Sequence, residues 1–307
     1  MPYVQLSKLI TKGKIKERWI GLYKNNKVKI TKYYEGTYIH FSKAVNGSLL
    51  VNHAIPSNSA QLLYYSKCNH RHCTKEHWII EEYIEGVDMI TFINYHFDSN
   101  MLKVCLDKLQ NLIIKLHKHG VVHNDIKMEN VIINTKISNL WIIDNEYACC
   151  SYHNGDVMFG FTPRYAPPEI VFNSLLPKKV RNRVYGAYSL DTWSFAYLVL
   201  SIYVTRNQVR MSEIIEDNSL TYMISDIEKP TCKDKKKMFE YLVKCDNHLI
   251  QKNIADIAAK KLFKRKLRSF LHSDFNKRLL LTDHSKFDFF HKTLCEKFFD
   301  LLTCCFQ

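Results

Sequence analysis

Apolar and polar positions alternate from Trp19 to Lys32, and the alternation breaks at Lys24-Asn25-Asn26-Lys27. Period-two patterning sends successive side chains to opposite faces of a strand, and an Asn-rich break marks a turn, so a hairpin is predicted. Thr37 to Val45 is read as the next strand, followed by another from Trp78. From Met101 to His119 the period changes: Leu102, Leu109, Leu112, Ile113 and Leu116 share one face of a long helix that stops at Gly120. Two short strands come next, Val131 to Ile133 and Leu140 to Ile143. The longest apolar run, Phe195 to Val204, is about half the length a bilayer crossing needs.

Composition narrows the class. A chain of 307 residues, 46% hydrophobic and 24% charged, is expected to fold as a globule large enough for one two-lobed domain. Lys8, Lys12, Lys14 and Lys16 interrupt every early apolar run, so no secretory leader is predicted and the protein is expected to be intracellular and not secreted. Its ten cysteines are accordingly read as reduced thiols. Cys68, His70, His72 and Cys73 suggest a metal cluster, yet four ligands within six residues would struggle to surround a tetrahedral ion. Net charge is +14, with basic runs at Lys233 to Lys237 and Lys260 to Arg268. That surface suits acidic partners, including non-specific contact with nucleic acid, unless the runs are simply solvated helix faces. Cys304-Cys305-Phe306-Gln307 fits a prenylation box, against the alternative of an amphipathic terminal helix. The abundance of Ile, Lys, Asn and Tyr suggests an AT-rich genome.

The chemistry concentrates in His123-Asn124-Asp125-Ile126-Lys127-Met128-Glu129-Asn130, which reads H-x-D-x-K-x-x-N. A carboxylate, a lysine and an amide occur here at fixed spacing, and a likeness to the protein-kinase catalytic loop implies that they orient a hydroxyl, neutralise a moving phosphoryl group and hold magnesium. The stretch resembles the catalytic loop of protein kinases, with Asn124 in place of the usual arginine. Asp144-Asn145-Glu146 resembles D-F-G with only the aspartate kept. Thr162-Pro163-Arg164-Tyr165-Ala166-Pro167-Pro168-Glu169 resembles the end of an activation segment. Asp191-Thr192-Trp193 resembles the start of the central C-lobe helix, and Arg278 the buried arginine expected to meet Glu169. The Cys68 to Cys73 segment also resembles the turn after the regulatory helix of many kinases.

The resemblance implies an α+β, bilobal protein-kinase fold: a small β-rich N-lobe and a larger helical C-lobe with the ATP cleft between. Residues 1–15 are expected as an N-terminal extension, 16–84 as N-lobe and hinge start, 85–290 as C-lobe, and 291–307 as a C-terminal helix or tail. Aligned with the glycine loop, Gly21, Asn26 and Val28 would cover the nucleotide, and Lys43 would anchor ATP. A rival alignment takes Gly13 as the loop glycine and Lys32 as the anchor. No acidic residue lies between Glu35 and Glu76, and Gln61 falls near the position of the helix glutamate that normally pairs with the anchor. Glu81, at the gatekeeper position, either replaces that carboxylate beside Lys43 or is exposed by a one-residue register error. Glu82 and Ile84 would bind the adenine edge and Asp88 the ribose.

The same resemblance implies a Ser/Thr kinase that uses ATP with Mg²⁺ or Mn²⁺. Asp125, Lys127, Asn130 and Thr162 form the catalytic set, and Asn130 and Asp144 hold the metal. Without an arginine at 124, activity independent of activation-loop phosphorylation is expected. The eroded glycine loop and AT-rich bias look most like the protein kinase 1 group of baculoviruses, which implies a late-phase viral kinase in the host cytoplasm or nucleus. Its protein substrates are then expected to be basic or DNA-associated, a preference to which Glu129 adds weak support. The alternatives are a pseudokinase scaffold, given the lost glycines and helix glutamate, and a small-molecule kinase, against which Lys127 and Arg278 argue.

Overall fold

The computed structural model describes residues 4–66, 76–96, 98–151, 162, 165–167, 170, 187–206, 250–256, 259, 261–272 and 277–289. The strands β1 (Val4–Lys12), β2 (Lys16–Tyr23) and β3 (Asn26–Tyr33) form an antiparallel meander. The β2–β3 turn places Lys24 and Asn25 at φ 50° and 65°, the conformation a two-residue hairpin needs to match strand twist. Residues 4–12, within the expected N-terminal extension, form β1, which pairs along β2. The connection between β1 and β2 is Gly13-Lys14-Ile15, where the rival alignment placed the loop glycine.

The stretch from Thr37 to Val45 is not a strand. It enters helix α1 (Tyr38–Ala54), whose buried Phe41, Ala44, Val45, Ser48 and Val51 recur three or four residues apart. Phe41, Ala44 and Val45 pack with Tyr33 and Ile79 beneath the sheet, and this docking outweighs the strand preference of Tyr38 and Ile39. A Cβ on Gly47 would collide with the Asn145 carbonyl oxygen, so glycine lets α1 lie directly on the segment after Asp144. Next come β4 (Leu62–Tyr65) and β5 (His77–Glu82), which complete a five-stranded sheet of order β1-β2-β3-β5-β4.

Beyond the sheet the described residues are mainly helical. It runs through β6 (Val87–Asp88), α2 (Met89–Tyr95), α3 (Ser99–Lys118), β7 (Val121–Val122), β8 (Val131–Asn134), β9 (Asn139–Ile142) and β10 (Cys149–Cys150). Two further helices are α4 (Ala187–Arg206) and α5 (Lys261–Phe270). Asp98 caps α3, accepting from the Asn100 and Met101 amides at 2.7 and 2.9 Å. The main core joins Leu106, Leu109, Ile113 and Leu116 of α3 to Phe195, Leu198, Val199 and Ile202 of α4. The latter helix is buried on nearly every described side because it is apolar all round. Phe195 to Val204 lies within it, and no described helix is long and apolar enough to cross a membrane.

Candidate active site

The loop from His123 to Asn130 is held between β7 and β8 by a buried acid. Asp191, fully enclosed on α4, accepts from the backbone N–H of His123 (2.8 Å) and Asn124 (2.9 Å) and lies 3.2 Å from His117 Nε2. These bonds stabilise a turn in which Asn124 adopts φ 68°, a region asparagine tolerates better than most side chains. The Asn124 amide then donates to the Tyr147 carbonyl oxygen (2.8 Å) and to Cys149 Sγ (3.3 Å). It thereby ties the loop to the segment after Asp144.

Asp125 is almost fully buried and has three side-chain donors around it. Thr162 Oγ1 donates to one carboxylate oxygen (2.6 Å), while Lys127 Nζ and Asn130 Nδ2 approach the other at 2.8 and 2.9 Å. Lys127 also donates to Thr162 Oγ1 at 2.8 Å, so Thr162 bridges the carboxylate and the lysine. Such a net fixes the orientation of Asp125 and leaves a cation beside it. The Ile143 amide donates to the Asn130 carbonyl oxygen at 2.9 Å, which sets Asn130 alongside Asp144.

Asp144 sits at φ 61°, and Arg18 Nη2 donates to both of its oxygens, at 2.8 and 3.0 Å. Burial pushes this carboxyl upward, but the Arg18, Lys29, Lys16 and Lys127 cations together hold it down to about 2. Lys16, which pairs with Glu146, is itself lowered to about 7 by burial and by Arg18 and Lys29, with Asp144 and Glu81 opposing. Asn145 is buried where D-F-G carries its aromatic ring, and its Oδ1 lies 3.2 Å from His123 Nε2. Because His123 Nδ1 faces the Asp125 N–H at 3.4 Å, the hydrogen-bond network assigns the imidazole proton to Nε2, which donates to Asn145.

The cleft face of the sheet differs from the sequence expectation. Lys16, Arg18, Lys29, Thr31, Ile79 and Glu81 line one pocket with Ser48 of α1 and residues 144–146. Lys43 lies on α1 and is not in that lining, since a helix replaces the expected strand. Lys32 points to the opposite face, against Glu76 (2.8 Å) and the Trp78 ring. Glu81 is buried as a counter-ion, but its partner is Lys29 at 2.7 Å, with Ser48 Oγ donating at 3.1 Å. Gln61 precedes β4 rather than riding on a helix, and its side chain donates to the Pro56 and Ser59 carbonyls.

The expected glycine-loop residues are also elsewhere. Gly21 lies in β2, where a Cβ would strike the Gln5 carbonyl oxygen and Ile30; Asn26 opens β3, and Val28 packs with Ile30 and Ile80 on the outer face. Strand parity explains this, because Val28 and Lys29 must face opposite ways. Glu82 ends β5 with its N–H donated to the Gln61 carbonyl oxygen, and Ile84 lies in the connection to β6. Asp88 caps α2, accepting from Thr91 N (2.8 Å) and Oγ1 (3.0 Å). Arg278 is buried, donates to the His272 carbonyl oxygen and stacks 4.7 Å over Trp193. Glu169, Cys68 to Cys73, Lys233 to Lys237 and residues 291–307 lie outside the described residues.

Sequence reasoning missed Lys16, Arg18, Lys29 and Glu146. The available signal was parity: with β2 and β3 correctly bounded, Lys16, Arg18, Lys29 and Thr31 all fall on one face. As for a metal, the Asp144 carboxylate and the Asn130 amide oxygen are hard oxygen donors of the kind that suit Mg²⁺ or Mn²⁺.

Comparison with known proteins agrees with this geometry. A family model described as protein kinase domain matches residues 57–290; β1 to β3 and α1, where the alignments diverged, lie before it. The chain is 27% identical over 52% of its length to serine/threonine-protein kinase ste20 of Aspergillus oryzae, covering 18% of that protein. It is 32% identical over 46% of its length to serine/threonine-protein kinase cds1 of Schizosaccharomyces pombe, covering 32% of it. Serine/threonine-protein kinase 1 of Lymantria dispar multicapsid nuclear polyhedrosis virus is 25% identical over 53% of this chain and 54% of the viral protein. The chain thus spans about half the length of that viral relative and less of the fungal ones. With the family model covering most of it, the chain belongs to the protein kinase domain family.

Proposed function

We propose that this protein is a Ser/Thr protein kinase that transfers the γ-phosphoryl group of ATP to a protein hydroxyl. The observation that carries this reading is the buried Asp125–Lys127–Thr162–Asn130 network beside Asp144. In the reaction Asp125 orients the substrate hydroxyl and takes its proton. A bond forms between that oxygen and the γ-phosphorus, the bond to the β–γ bridging oxygen breaks, and ADP leaves. Lys127 neutralises charge on the transferred group. A divalent cation held by Asp144 and Asn130 would supply charge neutralisation across the phosphates. Glu82 and Ile84 meet the adenine edge and Asp88 the ribose under this reading.

Three finer points belong to it. Asn124 makes neutral bonds to Tyr147 and Cys149, which supports activity independent of activation-loop phosphorylation. The likeness to the baculovirus kinase supports a late-phase viral role in host cytoplasm or nucleus. The exposed Glu129 supports basic substrates, and the basic residues of α5, Lys264 to Arg268, support weak contact with nucleic acid. A second reading, a non-catalytic nucleotide-binding or scaffold module, is favoured by one observation: Arg18 occupies both oxygens of Asp144.

The experiment is phosphoamino-acid analysis of a basic protein and of casein after incubation with labelled ATP and each metal. Phosphoserine or phosphothreonine, retained when Ser151 and Tyr152 are changed to alanine in turn, is the expected result. Phosphotyrosine alone, or no label with either metal, would overturn the Ser/Thr kinase reading. Loss of labelling in either alanine variant would overturn loop independence.

A further inference from the structure

We propose that Arg18 of β2, rather than any lysine of β3, is the residue that binds the nucleotide phosphates in this cleft. The inference rests on the kinase reading and deepens it. The pocket lining contains three cations, Lys16, Arg18 and Lys29, and three carboxylates, Glu81, Asp144 and Glu146. What separates the cations is how each is already engaged.

Lys29 is committed inward. It pairs with Glu81 at 2.7 Å, and Glu81 also accepts from Ser48. To turn toward a phosphate, Lys29 would leave a buried carboxylate uncompensated beside a second polyanion, which is strongly unfavourable. Helix α1 offers no relief, because it has no acidic residue with which a released lysine could be re-paired. The next β3 residue on this face is Thr31, which carries no charge and lies directly across the ladder from Arg18.

Arg18 lines the same pocket and reaches Asp144 across it. Both of its bonds to that carboxylate come from Nη2, so the remaining donors of the guanidinium fork stay available for oxygens in the plane of the group. The fork stays charged at every working pH and matches phosphate oxygens two at a time. Its neighbour Lys16, two residues along the same face, is engaged by Glu146 and so is less free to turn to a phosphate. Were a divalent cation held by Asp144, Arg18 would be released from that carboxylate and would take phosphate oxygens instead.

The test is calorimetric titration with ATP and with adenosine, in magnesium buffer and in EDTA. The proteins are wild type, Arg18→Met, and the paired variant Lys29→Met with Glu81→Leu, which removes the buried ion pair without leaving half of it; circular dichroism checks that each is folded. A lost charge-assisted bond is worth roughly ten-fold or more in affinity. Arg18→Met is therefore expected to weaken ATP at least about ten-fold while leaving adenosine within about two-fold, and the paired variant to keep ATP within about three-fold. ATP binding that is unchanged or tighter in Arg18→Met, or lost in the paired variant instead, would overturn the assignment with the kinase reading intact. A wild-type protein that binds neither ligand would overturn both.

Discussion

The Lys29–Glu81 pair offers the sharpest energetic test of the cleft. Its side chains are 19% and 7% exposed, their charged atoms are 2.7 Å apart, and Ser48 adds a bond from α1. Two charges held this deep do little for stability relative to a well-packed apolar pair, but removing one alone leaves the other without a partner. Single losses of that kind cost about 3–5 kcal/mol. Since Lys29 keeps some contact with water, about 3 kcal/mol is expected for either Glu81→Leu or Lys29→Met. The double variant should lie within about 1 kcal/mol of wild type, and the coupling between the sites should exceed about 2 kcal/mol. Urea unfolding monitored by tryptophan fluorescence reads this directly, because Trp19 and Trp78 sit on the outer face of the same sheet. With a slope of about 3 kcal/mol per molar, each single variant should unfold about 1 M earlier. Additive single effects, within about 0.5 kcal/mol in the double variant, would refute the claim that the two charges depend on one another.

The same packing has other consequences. Gly47→Ala should lower stability by about 1–3 kcal/mol despite the better helix propensity of alanine, because its methyl meets the Asn145 carbonyl; an unchanged melting temperature would contradict the close approach of α1. Asp144 is held down to about 2 against an ordinary 3.8, so its stabilisation is present above pH 3.8 and is lost as pH falls toward 2. The stability gap between wild type and Asp144→Asn should shrink by about 2 kcal/mol over that window in acid titration, and a constant gap would contradict the Arg18 contact. Burial pushes the Cys149 thiol up to about 11, with the Asn124 bond only partly opposing. Mass spectrometry should therefore find it alkylated far more slowly at pH 7.5 than an exposed cysteine; equal rates would contradict its enclosure.

The C-lobe site was legible in the sequence because its chemistry is local. His123 to Asn130 is one continuous stretch, Asp191 lies near the start of a helix with a plain apolar pattern, and the Met101 helix differs from α3 (Ser99–Lys118) by only a residue or two at each end. The N-lobe was not, because its assignment hung on non-local facts. Tyr38 and Ile39 favour strands in isolation, and only docking against Tyr33 and Ile79 makes that stretch helical. With Thr37 to Val45 expected as a strand, the ATP anchor falls on Lys43 and the loop glycine on Gly21, whereas the structure puts Lys43 on α1 and Gly21 within β2. Glu81 is buried in the pocket lining, and its partner is Lys29 rather than the expected Lys43. The pairing of Lys29 with Glu81 arises from the β3–β5 register, which sets them opposite one another and which no local pattern encodes. Arg18 escaped notice for the same reason: its significance lies in reaching Asp144, which is distant in sequence.

The central claim is tested most directly by the rate of γ-phosphoryl transfer from ATP to a basic protein, in wild type and in Asp125→Ala of matched stability. The account predicts metal-dependent transfer by wild type and a loss of at least about a hundred-fold in the variant, because the group that orients and deprotonates the hydroxyl is gone. Equal rates in the two proteins would show that the Asp125 network does not perform the chemistry assigned to it.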